Sequence, residues 1–414
     1  MKALIKKIND FLRRFPAIRG AIILVIRYAQ YAAASVKRIL RKTPDGILTT
    51  GRRLTPEGEN CYFGYYDKTP YSADGKRFIY HSIPAMAAPV AGQEAILYEQ
   101  NLITDVRREI GRTRAWNLQQ GAMLRYYTDD VIAWNDYRDG AYCTVFHNRH
   151  TDEERILSCP LYDIDRSGKL GLTLEFERLN VDAEGYGYIQ QGIRNFDTPA
   201  TISVVDIARD EQRVIISSDQ LNQQYPVRHE GVTFFYFNHL NFNPSGSRFL
   251  FIQRYVYERQ RYSRLFSAAV DGSDVRLLAA EQMVSHFTWY SDEEILVYLR
   301  HEGHDAYYRL RDEAGSALCE LEDAHLRVDG HPTYSDTDRS LFVSDTYPDA
   351  ARRRHLFTYN TKTKTYKELA SLKAPIRYDG PVRCDFHPRF KPGCQSVCID
   401  SIHEGFRGMY EIDL

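Results

Sequence analysis

One pattern recurs seven times along the chain, and it restricts the fold more than any other feature of the sequence. Each copy has a short run with an aromatic residue, then a tight polar turn, then a run rich in β-forming residues, as in residues 69–80 and 239–251. The aromatic residues that mark the copies are Tyr71, Tyr126, Tyr162, Phe242, Trp289, Tyr334 and Phe390. Copies about 36–80 residues apart are typical of the blades of a β-propeller with insertions.

A second hairpin follows the first in each copy and is clearest at residues 307–321 and 356–369. Two hairpins make four strands, so we predict an all-β fold in which residues 47–414 form a seven-bladed β-propeller. The last copy has only three strands before Leu414. We expect residues 47–54 to supply the fourth, because this closes the ring and leaves no open strand edge.

Residues 1–43 form a separate, basic segment, with a net charge of +10 against −11 for the remainder. Apolar residues at helical spacing before Pro16, and a second apolar stretch at 21–36, predict a short amphipathic helical extension. Arg27 and Gln30 interrupt the second stretch, which falls short of the roughly 20 apolar residues that a transmembrane helix needs. We expect this segment to bind the anionic inner face of a membrane from the cytoplasm. A helix packed on the propeller and an export signal are the alternatives.

Charge and composition exclude several classes of function. The acidic body would repel phosphates, which argues against a nucleic-acid partner. Seven cysteines without a CxxC pair are typical of reduced thiols in a cytoplasmic protein. The sequence also contains no Walker loop, dinucleotide fingerprint, cysteine zinc cluster or Gly-x-Ser-x-Gly elbow.

The repeats resemble those of TolB-type propellers, whose hallmark is a Pro-x-aromatic-Ser-Pro-Asp-Gly run, most closely at residues 69–76 and 331–338. The Leu-Thr-Pro run at 54–56, followed by the aromatic pair Tyr62 and Phe63, resembles the start of the oligogalacturonate lyases, a group of seven-bladed propellers. A third resemblance, to propeller proteins of bacterial surface-polysaccharide loci, rests on residues 116–123, 185–188, 383–389 and 403–405. Together these resemblances imply a propeller that acts in a carbohydrate context such as capsule or exopolysaccharide biosynthesis.

Four consecutive copies carry a histidine three residues before the marking aromatic residue. The position opens the innermost strand at the mouth of the central channel, so we expect the four imidazoles to converge. They are His239, His286, His331 and His387. The loops at 301–304, 345–347 and 403–405 are expected at the same mouth. In the first copy the equivalent position is Lys68, preceded by Asp67.

Converging imidazoles are a common way of holding a transition metal. In the oligogalacturonate lyases a metal is held by histidine and glutamine side chains and another histidine is the base, which implies His239 as a base here. The implied ligands of a divalent transition metal, such as manganese, are His286, His331 and His387. The closely spaced glutamine and His-x-His ligands of that group have no counterpart, and Arg383 and Asp385 stand in their place. A metal-free anion or sugar site, or histidines that only cap strands, are the alternatives.

A lyase that acts on a uronate must neutralise the sugar carboxylate, remove the proton beside it and protonate the leaving oxygen. A metal or Arg383 would serve the first step, His239 the second, and Tyr66 or Lys68 the third. We therefore predict a metal-assisted polysaccharide lyase that acts on an acidic, uronate-containing surface polysaccharide.

Two other functions stay open. A glycoside hydrolase would need two carboxylates about 5–10 Å apart, for which Asp67, Asp385 and Glu404 are candidates. A propeller without catalytic activity could instead bind glycan or scaffold a polysaccharide export complex.

Overall fold

The computed structural model describes residues 16–43, 46–182, 185–190, 197–280 and 283–414. Seven antiparallel sheets follow one another along the chain and form a seven-bladed β-propeller, which confirms the predicted fold class. We number the blades 1 to 7 in the chain order of their innermost strands.

The innermost strands are short in most blades, and the marking aromatic residues lie in or beside them, except that Tyr71 of blade 1 forms an isolated bridge to Phe78. These strands are Asn60–Tyr62, Arg125–Tyr126, Asp163–Ile164, Phe235–Phe242, Val284–Trp289, Thr333–Tyr334 and Arg389–Phe390. The second strands are longer and more deeply buried. They are Arg77–Ile83, Val131–Arg138, Leu170–Leu174, Arg248–Tyr257, Glu294–His301, Leu341–Asp345 and Ser396–Ser401.

The third and fourth strands complete each blade towards the outside of the ring. The third strands are Ala95–Asn101, Ala141–Asn148, Thr201–Asp206, Gln260–Ala269, His304–Arg311, Arg353–Asn360 and Gly408–Asp413. The outer strands are Arg107–Thr113, Glu154–Leu157, Glu211–Ser217, Arg276–Ala279, Cys319–Glu320, Thr365–Lys373 and, in blade 7, Gly51–Arg53.

The core lies between neighbouring blades, as the second strand of blade 4 illustrates. Phe249 and Phe251 belong to an apolar cluster shared with blade 3, whereas Leu250 and Ile252 belong to a cluster shared with blade 5. Successive side chains of a strand point to opposite faces of its sheet, so a blade with a neighbour on each side needs apolar residues at every position. This explains the unbroken apolar runs in the sequence.

The N-terminal segment closes the ring. Gly51–Arg53 pairs with Gly408–Asp413, so part of the predicted 47–54 strand becomes the outer strand of blade 7. Gly46–Ile47 instead pairs with Thr365–Lys373 as a fifth strand of blade 6, which the sequence did not indicate. The segment before the first blade thus ties two blades together.

A helix, Pro16–Leu40, precedes the propeller. Its half-buried positions face the body, and the Arg38 guanidinium donates a hydrogen bond of 3.0 Å to Ser371 Oγ. Within the described part of the chain, no helix is long and apolar enough to cross a membrane. The predicted apolar repeat before Pro16 lies outside the described residues. The remaining helices are short: Phe176–Asp182, Ser218–Gln224, and the 3-10 turns Ala324–Leu326 and Gly380–Val382.

Candidate functional site

The four predicted histidines converge at the centre of the propeller. The ring centroids of His239 and His286 are 5.6 Å apart, those of His286 and His331 4.2 Å, and those of His331 and His387 4.4 Å. Every one of these side chains is at most 5% exposed. One repeat position in four adjacent blades maps to four neighbouring places around the central axis, so the pattern brings the imidazoles together.

The backbone around these histidines departs from regular strand geometry. His239 and His387 have positive φ angles of 56° and 46°, a region that costs energy for a residue with a side chain. The strand register also shifts between Asn238 and Asn241, and again between Val284 and Phe287. Such bulges re-aim side chains, which here turns His239 and its neighbours into the channel.

Tyr65 lies at the centre of the four histidines and was not predicted. Its ring stacks on that of His239 with centroids 5.2 Å apart, and lies 4.9 Å from His387, 6.0 Å from His331 and 6.4 Å from His286. Its hydroxyl is 3.3 Å from His239 Nε2. Burial, chiefly, raises the pKa of the Tyr65 hydroxyl well above its usual value.

Tyr65 reaches this place because the innermost strand of blade 1 is interrupted. Asn60–Tyr62 pairs with the second strand, and pairing resumes only at an isolated bridge from Tyr71 to Phe78. The intervening residues 63–70 leave the sheet and enter the channel. The repeat therefore carried no signal for Tyr65, although the Tyr65–Tyr66 pair beside Lys68 was visible in the sequence.

Two carboxylates outside the cluster orient two of the histidines. His331 Nδ1 lies 2.8 Å from Asp345 Oδ1, and His286 Nδ1 lies 3.0 Å from Asp329 Oδ1. The second oxygen of Asp345 accepts from the backbone N–H of Phe386 at 3.0 Å. A carboxylate on Nδ1 holds the proton there and leaves the Nε2 lone pair for a ligand or metal. The buried Nε2 of His331 has no hydrogen-bond partner in the described structure.

His331, Asp385 and His387 form a group that fits a divalent metal. Their ligating atoms lie within 4.8 Å of one another, and both ring nitrogens of buried His387 lack partners among the described residues. Two imidazoles and a carboxylate are a donor set that suits a divalent transition metal. Asp385 is also ion-paired with Arg354 at 2.6 Å and Arg383 at 2.7 Å. Although burial opposes it, these arginines hold the pKa of Asp385 well below its usual range.

Burial keeps three of the histidines, His239, His286 and His387, neutral. Desolvation, with smaller contributions from nearby cations such as Arg254, lowers the pKa of His239 well below its usual value. Desolvation is also the main cause of the lowered pKa values of His286 and His387. At neutral pH these imidazoles therefore retain a lone pair, which a general base and a metal ligand both require.

A cavity of about 440 Å³ opens beside His239 and His286, and we call it the histidine cavity. Arg254, Arg261 and Arg383 line its walls together with Tyr186 and Tyr347. Arg383 also donates to the Tyr186 hydroxyl at 3.1 Å. Three guanidinium groups around one opening provide charge-assisted donors for a carboxylate ligand.

Arg254 and Arg261 were not predicted as site residues. Both belong to the hairpin of Arg248–Tyr257 and Gln260–Ala269, whose strands have ten residues each and exceed those of the other blades. This extra length is the only signal that the sequence offered. Tyr347, by contrast, lies in one of the loops predicted at the channel mouth.

Other predicted residues lie apart from the histidine cavity. Asp67 and Lys68, 2.6 Å apart, line a second cavity of about 340 Å³ that also contacts Phe242 and Trp289. Tyr66 borders that cavity too, and its hydroxyl donates to the Phe287 carbonyl at 2.7 Å. The structure therefore does not bring Lys68 or the Tyr66 hydroxyl to the cavity beside His239.

Glu404 lies at the outer rim. It accepts from Arg53 at 2.7 Å and from the Tyr410 hydroxyl at 2.8 Å, and it lines a third cavity, which we call the rim cavity. Neither the 403–405 loop nor the 301–304 hairpin lines the histidine cavity. Asp67, Asp385 and Glu404 thus occupy three different places, and the paired carboxylates of a glycoside hydrolase are not formed among them.

No protein-family model matches the sequence, and none of the curated proteins matches it. Among solved structures, an oligogalacturonate lyase in complex with manganese has a TM-score of 0.66 at 18% identity, covering 90% of this chain and 95% of its own. An oligogalacturonate lyase from Vibrio parahaemolyticus has a TM-score of 0.63 at 17% identity, covering 88% and 93%. The chain shares the fold of the oligogalacturonate lyases.

A third similar structure, TolB from Acinetobacter baumannii, has a TM-score of 0.41 at 12% identity, covering 82% of this chain and 80% of its own. The predicted resemblance to the oligogalacturonate lyases is confirmed for the fold by the two structures with TM-scores above 0.6. The oligogalacturonate lyase fold alone does not assign a reaction, because propellers carry many functions on one framework.

Proposed function

We propose that the chain is a polysaccharide lyase that cleaves uronate-containing glycans, the bacterial surface polysaccharides among them. The observation that carries the proposal is a neutral, buried His239 at the edge of a cavity whose walls present three arginines. A neutral base beside a carboxylate-binding wall is what elimination next to a uronate carboxyl requires.

The reaction is a β-elimination. Arg254, Arg261 and Arg383 neutralise the carboxylate, which acidifies the adjacent C5–H. His239 takes that proton, the C–H electron pair forms the C4–C5 double bond, and the C4–O bond breaks. The leaving oxygen takes a proton from the Tyr65 hydroxyl, which lies beside His239. Tyr65 replaces Tyr66, whose hydroxyl bonds to the backbone of Phe287, and Lys68, which borders the second cavity.

A divalent cation is part of the proposal. His331, His387 and Asp385 would hold it, with His286 next to His331, and a bound cation would polarise the sugar carboxylate. One of the similar oligogalacturonate lyases is a manganese complex, which supports manganese as the first metal to test.

The test is an assay on purified protein with oligogalacturonides and other uronate-containing polysaccharides, with and without added manganese. We expect absorbance of the unsaturated product to rise, and a neutral glucan to give none. His239→Ala should abolish the signal, and Arg254→Gln should raise KM more than it lowers kcat. A protein that cleaves no uronate under any of these conditions would contradict the proposal.

Binding without cleavage is the second candidate function. Asp385 is shared between two arginines, which weakens it as a metal ligand and leaves an anion-binding wall that needs no metal. Calorimetry with uronate oligosaccharides separates the two functions. Saturable binding that depends on Arg254, without product formation, would identify a glycan-binding propeller.

We further propose that the chain acts next to a membrane. The support is the charge of residues 1–43, whose +10 is opposed by −11 in the rest of the chain. Such an arrangement would hold the acidic body near an anionic surface through one segment only. Liposome flotation of the full chain tests this placement.

A further inference from the structure

The rim cavity lies between the N-terminal helix and the propeller. It has a volume of about 450 Å³, and Tyr28 and Tyr31 of the helix form one side. The other side includes Lys373, the last residue of the outer strand of blade 6, and Arg377, which follows that strand. The cavity thus exists only because the helix rests against the rim, where Arg38 bonds to Ser371.

Two cations of this cavity are not neutralised. Glu404 is engaged by Arg53 at 2.7 Å, and Asp379 lies 3.9 Å from Arg352. Lys373 and Arg377 are exposed, and neither forms an ion pair within the described ranges. The Arg377 guanidinium lies 4.7 Å from the centroid of the Tyr378 ring. The cavity therefore presents positive charge to an incoming anion.

The opposite side of the helix is an apolar stripe, which we define by its exposed residues. They are Ile22, Val25, Ile26, Val36, Ile39 and Leu40, between 39% and 78% exposed. The half-buried positions 31, 34, 35 and 38 follow the same three-and-four spacing on the other face. No described residue of the propeller covers the stripe, and Lys37, Arg41 and Lys42 flank its C-terminal end.

We infer that the rim cavity binds the phosphate of an anionic phospholipid headgroup while the apolar stripe lies in the same bilayer. An interfacial helix sinks about 5–10 Å into the boundary between headgroups and acyl chains. Its body-facing side, with the rim cavity, then lies at the level of the headgroups. Tyr28 and Tyr31 suit this depth because tyrosine combines an apolar ring with a polar tip. Lys373 and Arg377 supply the charge that selects an anionic lipid.

This inference does not rest on the proposed lyase activity. It goes beyond the basic charge of residues 1–43, since two of its residues come from the propeller. If the charge of residues 1–43 alone attracted the membrane, changing Lys373 and Arg377 would not weaken binding. The inference is therefore testable.

The experiment is flotation of the full chain with vesicles of phosphatidylcholine alone and of phosphatidylcholine with phosphatidylglycerol. We expect binding only with phosphatidylglycerol. The double variant Lys373→Glu and Arg377→Glu should bind about thirtyfold more weakly, from about 1 kcal/mol for each basic residue near the surface. The matched control is Lys362→Glu with Lys364→Glu, at the other end of the same outer strand, about 30 Å away.

A second pair of variants tests the stripe. Val25→Glu with Ile39→Glu changes two exposed side chains and should abolish flotation without lowering the melting temperature. Equal binding of the Lys373/Arg377 variant and its control would overturn the headgroup site. Concentration-dependent dimerisation that the stripe variant abolishes, with no flotation of the parent chain, would show that a second copy covers the stripe and would also overturn the inference.

Discussion

The hydroxyl of Tyr65 lies 3.3 Å from Nε2 of His239, and the two rings stack at an interplanar angle of 18°. Burial acts on the two groups in opposite directions, since it raises the pKa of Tyr65 and lowers that of His239. Both groups are therefore neutral at pH 7, and the tautomer of the imidazole sets which of them donates the hydrogen bond. A base that lacks its proton and an acid that keeps its own are thus held side by side, as an elimination requires.

Tyr65→Phe should separate these roles, because it keeps the stacked ring and removes only the hydroxyl. We expect kcat to fall by about 10²–10⁴-fold, the usual effect of losing a general acid, with little change in KM. The control is Tyr66→Phe, whose hydroxyl bonds to the backbone of Phe287. That variant should lose about 1–3 kcal/mol of stability while it keeps its kcat. Full activity in Tyr65→Phe would remove Tyr65 from the mechanism.

His331 and His387 should act as one metal site rather than as two strand caps. Elemental analysis of His331→Ala and His387→Ala should show most of the metal lost in each, and the double variant should lose little more, because the site functions as a unit. His325→Ala, at an exposed turn, is the control. Additive stability losses of about 0.5–2 kcal/mol each, with no metal in the parent protein, would instead identify the histidines as caps.

The Asp345 carboxylate should support metal binding without touching the metal. It holds Nδ1 of His331 at 2.8 Å, so Asp345→Asn leaves the ligand in place but removes the charge that orients it. Loss of such an outer carboxylate typically costs 10–100-fold in metal affinity. Titration with manganese followed by calorimetry measures the change. An unchanged metal affinity would mean that the backbone, with the bond from the Phe386 N–H, positions His331 without the Asp345 charge.

A histidine outside the site should make stability depend on pH. Although burial opposes it, hydrogen bonds to Asp349 and Glu368 raise the pKa of His355 to about 9 in the folded chain, against 6.5 for an unperturbed imidazole. The stabilisation is therefore complete below pH 6.5 and is lost as the pH rises through about 9. His355→Gln should cost about 2 kcal/mol at pH 6, discounted for partial exposure, and almost nothing near pH 10. Urea unfolding at the two pH values measures the loss of unfolding free energy in this variant. Equal losses at pH 6 and pH 10 would show that a charged His355 does not stabilise the fold.

Ring closure should depend on the segment before the first blade. A chain that lacks residues 1–43 keeps both strands, Gly46–Ile47 and Gly51–Arg53. We expect this chain to unfold cooperatively like the full chain. Deletion of residues 1–54 exposes the edge of Gly408–Asp413, and we expect lost cooperativity and aggregation. Denaturant unfolding followed by circular dichroism compares the two. Equal unfolding midpoints would show that the ring does not need its outer strand in blade 7.

The amino-acid sequence determined the architecture and the convergence of the four histidines. Both follow from repetition, since each blade needs the same apolar runs and turns, and a repeat position takes the same radial place in every blade. The sequence alone groups the four histidines, His239, His286, His331 and His387. The local pattern did not show that His239 would stack on Tyr65.

Only the tertiary structure decided what surrounds the histidines. Tyr65 enters the channel on a segment that leaves the strand of blade 1, so Lys68 at the repeat position borders a different cavity. Arg254 and Arg261 come from a hairpin that is longer than its counterparts, and the carboxylate of Asp329 comes from a loop. These groups belong to interruptions of the repeat, where periodicity carries no information. Their positions depend on long-range packing around the axis, which one sequence does not encode in any local pattern.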